Sequence, residues 1–128
     1  MEQVRKYHNH VKRHLIQSVT QPGFSALDVG CGFGGDLQKW QQCQAKVDMC
    51  DPSPESLVEA RKRAANLGMK VTMYEGDIFA CPQKVYDVIC YNFSLHYIFK
   101  SQNLFFKSIK AIHRSTILNL TCSMMEKP

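Results

Sequence analysis

The chain lacks the long apolar runs, low-complexity tracts and internal repeats that mark whole classes of proteins. No apolar run in its 128 residues reaches the roughly 18 to 20 residues of a membrane span, so we expect no membrane partner. The first thirty residues contain four basic side chains with no apolar block between them, and we expect no secretory signal. Because 45% of the residues are hydrophobic, intrinsic disorder is excluded and one compact domain over residues 1–128 is predicted.

Closely spaced metal ligands are also missing. None of the six cysteines forms a C-x-x-C pair, which disfavours a structural zinc site. His10 and His14 lie four residues apart on a predicted helix, but no carboxylate or thiolate joins them nearby, and we expect no metal. Most cysteines occupy apolar, strand-like stretches, so we expect reduced, buried thiols in an intracellular protein. The six are Cys31, Cys43, Cys50, Cys81, Cys90 and Cys122.

Charge of one sign is only slightly in excess. Sixteen basic and eleven acidic side chains give a formal net charge of +5 and a pI near 8.9. A modest positive charge suits an anionic partner, but many ordinary proteins share it, so it is a weak indication.

The apolar pattern predicts strands that alternate with helices, and therefore an α/β fold with a largely parallel sheet. Ser53 is the predicted N-cap of the third helix, Pro54 its first residue, and Gly68 its C-terminal stop. The predicted helices cover 3–19, 36–42, 54–67 and 103–112, and the predicted strands cover 24–29, 45–50, 69–74, 85–91 and 115–121.

A glycine-rich loop follows the first predicted strand. Gly30, Gly32 and Gly35 satisfy G-x-G-x-x-G between a strand and a helix, the context in which this motif binds nucleotide cofactors. Such a loop lets a ligand lie against bare backbone at the carboxyl edge of the sheet. We therefore expect a cofactor site there.

Acidic residues around this loop favour a cofactor with a cationic group over a dinucleotide. Asp36 lies at the start of the following helix, where a pyrophosphate would otherwise bind and would be repelled. Asp28 precedes the glycines and adds to the preference for the ammonium or sulfonium group of S-adenosyl-L-methionine. Asp51 ends the second strand, the usual place for an acid that binds ribose hydroxyls. After the third strand, Asp77 is predicted to bind the adenine amino group, and Ile78 to pack on the adenine ring.

Three separate stretches resemble one known family. The glycine loop resembles that of class I S-adenosylmethionine-dependent methyltransferases in general. Residues 27–40, L-D-V-G-C-G-F-G-G-D-L-Q-K-W, look like the mRNA cap guanine-N7 methyltransferases in particular. Residues 9–16 and 92–99 are similar to that family's N-terminal helix and to its element after the fourth strand. The resemblance implies a Rossmann-like fold with an entrance helix over 1–20 and a βαβ core over 24–121.

The resemblance also implies roles for individual residues. Lys12 would hold the methionine carboxylate, and Gly30, Gly32, Asp51 and Asp77 would keep the cofactor contacts already described. Asn92 stands where the family usually has Gln and would contact the cofactor with a shorter reach. Residues facing the capped RNA would be Asn9, Arg63, His96 and Tyr97, with Tyr97 also near the cofactor.

The implied reaction is direct methyl transfer to guanine N7, which has a lone pair and no proton to lose. We therefore name no catalytic acid, base or nucleophile, and expect proximity and orientation to do the work. The implied partner is the capped 5′ end of mRNA. Cap methylation implies the nucleus, or the cytoplasm for a viral enzyme.

Two departures from the family keep alternatives open. Phe33 occupies a loop position where the family usually has a Lys expected near the cap phosphates. The chain also ends near the fifth strand, so we expect it to lack the final strands of the full fold and to associate with itself or with a completing chain. The alternatives are a class I methyltransferase with another substrate, and a non-catalytic module that binds S-adenosylmethionine or a partner.

Overall fold

The computed structural model describes residues 2–92 and 116–117. Helices and strands alternate through this range, which confirms the α/β class. Predicted helix 103–112 lies outside the described residues, as does most of predicted strand 115–121. The elements are α1 (Glu2–Val19), β1 (Ser25–Val29), α2 (Leu37–Gln42), β2 (Lys46–Asp51), α3 (Pro54–Asn66), β3 (Thr72–Glu75), a 3₁₀ turn (Ile78–Ala80), β4 (Val88–Tyr91) and β5 (Thr116–Ile117).

The strands form one parallel sheet in the order β3-β2-β1-β4-β5. The chain moves outward from β1 to β3 and then crosses back to β4 on the other side of β1. Val29 pairs in register with Cys50 of β2 and with Tyr91 of β4, so the carboxyl ends of the three central strands are level. The reversal of strand order opens a crevice between β1 and β4, the place where such sheets bind ligands.

Side chains of strands β1 to β4 alternate between two apolar layers. On one face, Ala26, Met49 and Val88 pack with residues of the three helices, among them Ile16 and Trp40, both 0% exposed. The other face packs against the segment around the 3₁₀ turn, with Leu27, Val29, Cys50, Ile89, Tyr91, Ile78, Cys81 and Tyr86 in one cluster. The helices therefore hold one face of the sheet and leave its carboxyl edge open for the loops. Within the described residues, no helix is long and apolar enough to cross a membrane.

Helix α3 begins and ends where the sequence predicts. The Ser53 hydroxyl accepts a hydrogen bond from the backbone N–H of Ser56 at 3.2 Å, and Pro54 follows as the first helical residue. Leu67 caps the other end, and Gly68 takes a φ of +69°, which L side chains rarely adopt.

Two predicted strands begin three residues too early. β3 starts at Thr72 instead of 69, because the backbone N–H of Met69 still donates to Ala64 of α3 at 2.9 Å and closes that helix. β4 starts at Val88 instead of 85, after an exposed stretch, Pro82–Val85, that has no buried face to define a strand.

Candidate cofactor site

The glycine loop turns the chain from β1 into α2 with left-handed backbone conformations. Gly30, Gly32 and Gly34 have φ values of +76°, +55° and +85°. The backbone N–H groups of Gly30 and Cys31 both donate to the carbonyl of Cys50, at 2.8 and 3.0 Å. These two bonds tie the loop to the end of β2, where the predicted ribose-binding acid follows.

Gly34 is the glycine that allows close helix packing. A Cβ atom at Gly34 would lie 2.7 Å from Leu37 Cδ1 and 3.3 Å from the Cα of Ala60 in α3. A Cβ at Gly32 or Gly35 would meet nothing within 4 Å. The G-x-G-x-x-G interpretation ends at Gly35 and omits Gly34, which is the third glycine of residues 28–34, D-V-G-C-G-F-G. The open space at Gly32 suits a ligand lying against the loop, as the predicted cofactor requires.

Asp51 is fixed at the end of β2 by the loops on either side of it. Its Oδ2 accepts the backbone N–H of Gly32 at 2.8 Å, and its Oδ1 accepts the N–H of Ser53 at 2.9 Å. A carboxylate has about four acceptor sites, so this one can still accept the two hydroxyls of a ribose. The acceptor sites of Asp51 fit the predicted role of binding ribose hydroxyls.

Asp77 and Ile78 lie just beyond β3. Asp77 is exposed, and its Oδ1 accepts the N–H of Phe79 at 2.9 Å, which caps the 3₁₀ turn. Ile78 is only 4% exposed and packs in the core cluster with Leu27 and Cys50. Little of the Ile78 side chain is thus left for the predicted contact with an adenine ring.

Asp36 is shared by two buried lysines. Its Oδ2 lies 2.7 Å from Lys12 Nζ of α1, and its Oδ1 lies 2.9 Å from Lys39 Nζ. Burial alone would raise the pKa of Asp36, but the two ammonium groups hold it below its ordinary value. From its position in the sequence, this carboxylate was predicted to face a cationic ligand. The structure instead supplies two cations from the protein.

Lys12 also reaches the end of β4. Its Nζ donates to Asn92 Oδ1, and Asn92 Nδ2 donates in turn to Asp28 Oδ1. Burial would lower the pKa of Lys12, but Asp36 and other nearby acidic groups raise it above its ordinary value. The predicted anchor of the cofactor carboxylate is therefore charged, and it lies at the crevice between β1 and β4.

Lys12, Asp36, Lys39 and Asn92 form one polar cluster. Asp28 lies beneath this cluster and is 1% exposed. Its Oδ2 accepts the indole Nε1–H of Trp40 at 3.2 Å. Burial and the charge of Asp36 raise the pKa of Asp28 to about 7, although Lys12 acts in the opposite direction. Because Asp28 is enclosed by Trp40 and Asn92, it supports the cluster from within the protein.

Lys39 was not predicted as a site residue. It is 3% exposed, and its ammonium donates to Asp36, to the carbonyl of Gly35 at 3.4 Å and to Asn9 Oδ1 at 3.3 Å. The only sequence signal was the D-x-x-K spacing from Asp36, which places the two side chains on one side of a helix. Through Lys39, the predicted cap residue Asn9 is joined to the cofactor cluster.

Arg63 borders a separate cleft of about 270 Å³ beside the glycine loop, lined also by Gly34, Gly35 and Asn66. Its guanidinium lies 3.0 Å from Glu59 on the same helix, and both side chains are exposed by more than two fifths. Phe33 lies in the glycine loop between Gly32 and Gly34 and is 56% exposed. The other two predicted cap residues, His96 and Tyr97, lie outside the described residues.

The described part of the chain contains no group of three or more His, Cys, Asp or Glu placed to hold a metal ion. The five cysteines of the described residues, Cys31, Cys43, Cys50, Cys81 and Cys90, are all buried. Burial raises the pKa of Cys31, so its thiol stays protonated beside the loop.

The fold and the loop geometry define a Rossmann-like class I methyltransferase. The chain belongs to the methyltransferase domain family, whose model matches residues 26–116. It is 32% identical to the mRNA cap guanine-N(7) methyltransferase of Eremothecium gossypii over 88% of this chain and 30% of that protein. It is also 32% identical to the Saccharomyces cerevisiae protein of the same name, over 77% of this chain and 26% of that protein. The resemblance seen in the sequence is thereby confirmed.

Solved structures agree with this assignment. A SAM-dependent methyltransferase from Geobacter sulfurreducens, in complex with S-adenosyl-L-homocysteine, matches 83% of this chain and 45% of its own with a TM-score of 0.67 and 19% identity. The family and this neighbour agree with the predicted cofactor, S-adenosyl-L-methionine. The chain spans less than a third of the length of the two relatives named above.

Proposed function

We propose that the chain is part of an enzyme that transfers a methyl group from S-adenosyl-L-methionine to N7 of the guanine of the mRNA 5′ cap. One observation carries the proposal. Lys12, the glycine loop, Asp51 and Asn92 converge at one crevice of the sheet, in a chain whose curated relatives are named cap guanine-N(7) methyltransferases.

The residues at the crevice match the chemistry of the cofactor part by part. Lys12 offers a buried ammonium for the carboxylate, and the open backbone at Gly32 gives room beside the loop. Asp51 offers oriented acceptors for ribose, and Asp77 an exposed acceptor near β3 for the adenine amino group. When bound, S-adenosyl-L-methionine would supply an electrophilic methyl group on a sulfonium.

On the substrate side, the proposal needs positioning and no proton transfer. Guanine N7 attacks with its lone pair, so the protein has only to hold the base in line and exclude water. Arg63 is exposed beside the loop and is proposed to meet the cap phosphates. Asn9 is proposed to lie on the same side, while His96 and Tyr97 are proposed to face the guanine. A role in mRNA capping would place the protein in the nucleus.

One observation favours a second candidate. Phe33 is 56% exposed in the glycine loop, at a position where the cap guanine-N7 methyltransferase family usually has a lysine. An exposed aromatic ring favours stacking over phosphate binding. The second candidate is therefore methyl transfer to another substrate by the same fold.

Labelled S-adenosylmethionine, incubated with capped and uncapped RNA of the same sequence, separates the candidates. The proposal expects label only in capped RNA, recovered as 7-methylguanosine after nuclease digestion. His96→Ala should bind S-adenosylhomocysteine normally and transfer less label. Normal binding of S-adenosylhomocysteine with no label in capped RNA would reject the proposal. Label in neither RNA, together with tight association with itself or another chain, would favour a non-catalytic module.

A further inference from the structure

Lys39 is a buried lysine in the last turn of α2. It is 3% exposed, yet its ammonium has three oxygen acceptors, the nearest being Asp36 Oδ1 at 2.9 Å. A lysine is rarely removed from water unless it is paired. Its pairing partner is the same carboxylate that holds Lys12.

Asp36 would compete with a bound cofactor for Lys12. Both the Asp36 carboxylate and the carboxylate of a methionine moiety are anions, and Lys12 carries a single charge. A Lys12–Asp36 pair on its own would be neutral and would attract a second carboxylate only weakly. The structure differs from that simple pair, because Lys39 shares the charge of Asp36.

The hydrogen bonds show how Lys12 stays available. An ammonium has three N–H donors, and two of those on Lys12 meet Asp36 Oδ2 and Asn92 Oδ1. Asp36 is fixed by Lys39 through its other oxygen, so it cannot turn both oxygens toward Lys12. Among the described residues, no acceptor takes the third N–H of Lys12, which is left for a further acceptor.

We propose that Lys39 is a positioning residue that keeps Lys12 able to bind the carboxylate of an amino-acid-bearing cofactor, by taking its share of Asp36. The proposal rests on the role proposed above for Lys12. Asp28 contacts the cluster through Asn92. Whatever its protonation state, loss of Lys39 leaves the cluster one charge more negative.

Two ligands that differ in the amino-acid group, and so in the carboxylate, test this role in the full chain by calorimetry. S-adenosylhomocysteine has the amino-acid group, and 5′-methylthioadenosine lacks it. Lys39→Met should weaken binding of S-adenosylhomocysteine by roughly tenfold and leave binding of methylthioadenosine unchanged. Lys39→Arg, which keeps the charge, should bind both ligands like the unmodified chain. Equal losses for both ligands, or no loss for either, would overturn the proposal.

A compensating variant removes the ambiguity of a folding defect. Lys39→Met/Asp36→Asn leaves Lys12 as the only charge of the trio and should recover the preference for S-adenosylhomocysteine. If the single variant does not fold, this double variant carries the test, and a lost preference would refute the role of Lys39. No RNA is needed, so failure of cap methylation leaves the result intact. Normal S-adenosylhomocysteine binding by Lys12→Met would instead refute the proposed role of Lys12.

Discussion

Asp51 is held by two backbone amides before any ligand binds, so its orientation adds no cost on binding. We predict that Asp51→Asn lowers the affinity for S-adenosylhomocysteine roughly ten- to hundredfold, because charge-assisted hydrogen bonds to the ribose become neutral ones. Calorimetry measures the change. Asp48→Asn is the control, since Asp48 lies in the same strand but bonds to Tyr86 at 2.7 Å. Equal affinities in the two variants would remove Asp51 from the site.

Asp28 makes stability depend on pH in a defined direction. Burial and Asp36 raise its pKa in the folded chain to about 7, above its ordinary value near 4. As the pH rises, Asp28 therefore ionises at a lower pH in the unfolded chain than in the folded chain. Its contribution to stability is complete below about pH 4, falls as the pH rises toward 7, and stays low above that. The size of the loss is about 1–4 kcal/mol.

We predict that Asp28→Asn removes this slope. The asparagine is nearly isosteric, has no charge to bury, and can still accept the Trp40 indole N–H. Urea unfolding at pH values from 4 to 8 gives the free energy of unfolding for both chains, and their difference isolates Asp28 from the other titrating groups. Parallel curves over this range would show that Asp28 does not titrate between its ordinary value and 7.

At the scale of elements, the glycine loop is constrained by α3 and not only by a ligand. We predict that Gly34→Ala lowers the free energy of unfolding by about 2–3 kcal/mol, because its φ of +85° is strained for alanine and its Cβ would crowd Ala60. Gly35→Ala is the matched control and should change stability by less than about 0.5 kcal/mol, since a Cβ there meets nothing. Urea denaturation measures both. A similar loss in both variants would mean that the contact with α3 is not the cause.

The sequence predicted the elements well wherever a local signal marks them. Helix α3 shows this at both ends, because Ser53 acts through a hydrogen bond of its hydroxyl, and Pro54 and Gly68 act through their backbone geometry. Strand starts were less predictable. The apolar alternation of β3 extends back to Met69, but the backbone N–H of Met69 donates to a carbonyl of α3, so this residue belongs to the end of the helix.

The acidic residues around the glycine loop could be picked out from the sequence, but the partners of their side chains could not. Asp28 was recognised by its position before the glycines, Asp36 by its position at the start of a helix, and Asp51 by its position at the end of a strand. Which cation neutralises which acid depends on α1 lying across the sheet edge, a contact between residues 24 positions apart that no local pattern encodes. Lys39 was missed because a lysine on a helix is usually exposed to solvent.

At the scale of the whole molecule, the net charge of +5 does not say where an anionic substrate binds. Under the proposed function, the cap phosphates bind at the cleft that Arg63 shares with the glycine loop. Phe33 is exposed in that loop and carries no charge. RNA binding can depend on charge at this cleft or only on the total charge of the protein. Adding the same charge at two places distinguishes the two.

We predict that Phe33→Lys strengthens binding of a capped oligonucleotide and steepens its salt dependence, because one more phosphate is neutralised beside Arg63. For a single strand, the slope of log affinity against log salt should grow by about 0.7. Val58→Lys adds the same charge at a position 52% exposed on α3. At 100° per residue, Val58 lies well round the helix from Arg63, so this variant should leave the slope nearly unchanged. Fluorescence anisotropy at several salt concentrations gives both slopes. Equal steepening in the two variants would mean that RNA binding depends on total charge, and would contradict the proposed binding of the cap phosphates at this cleft.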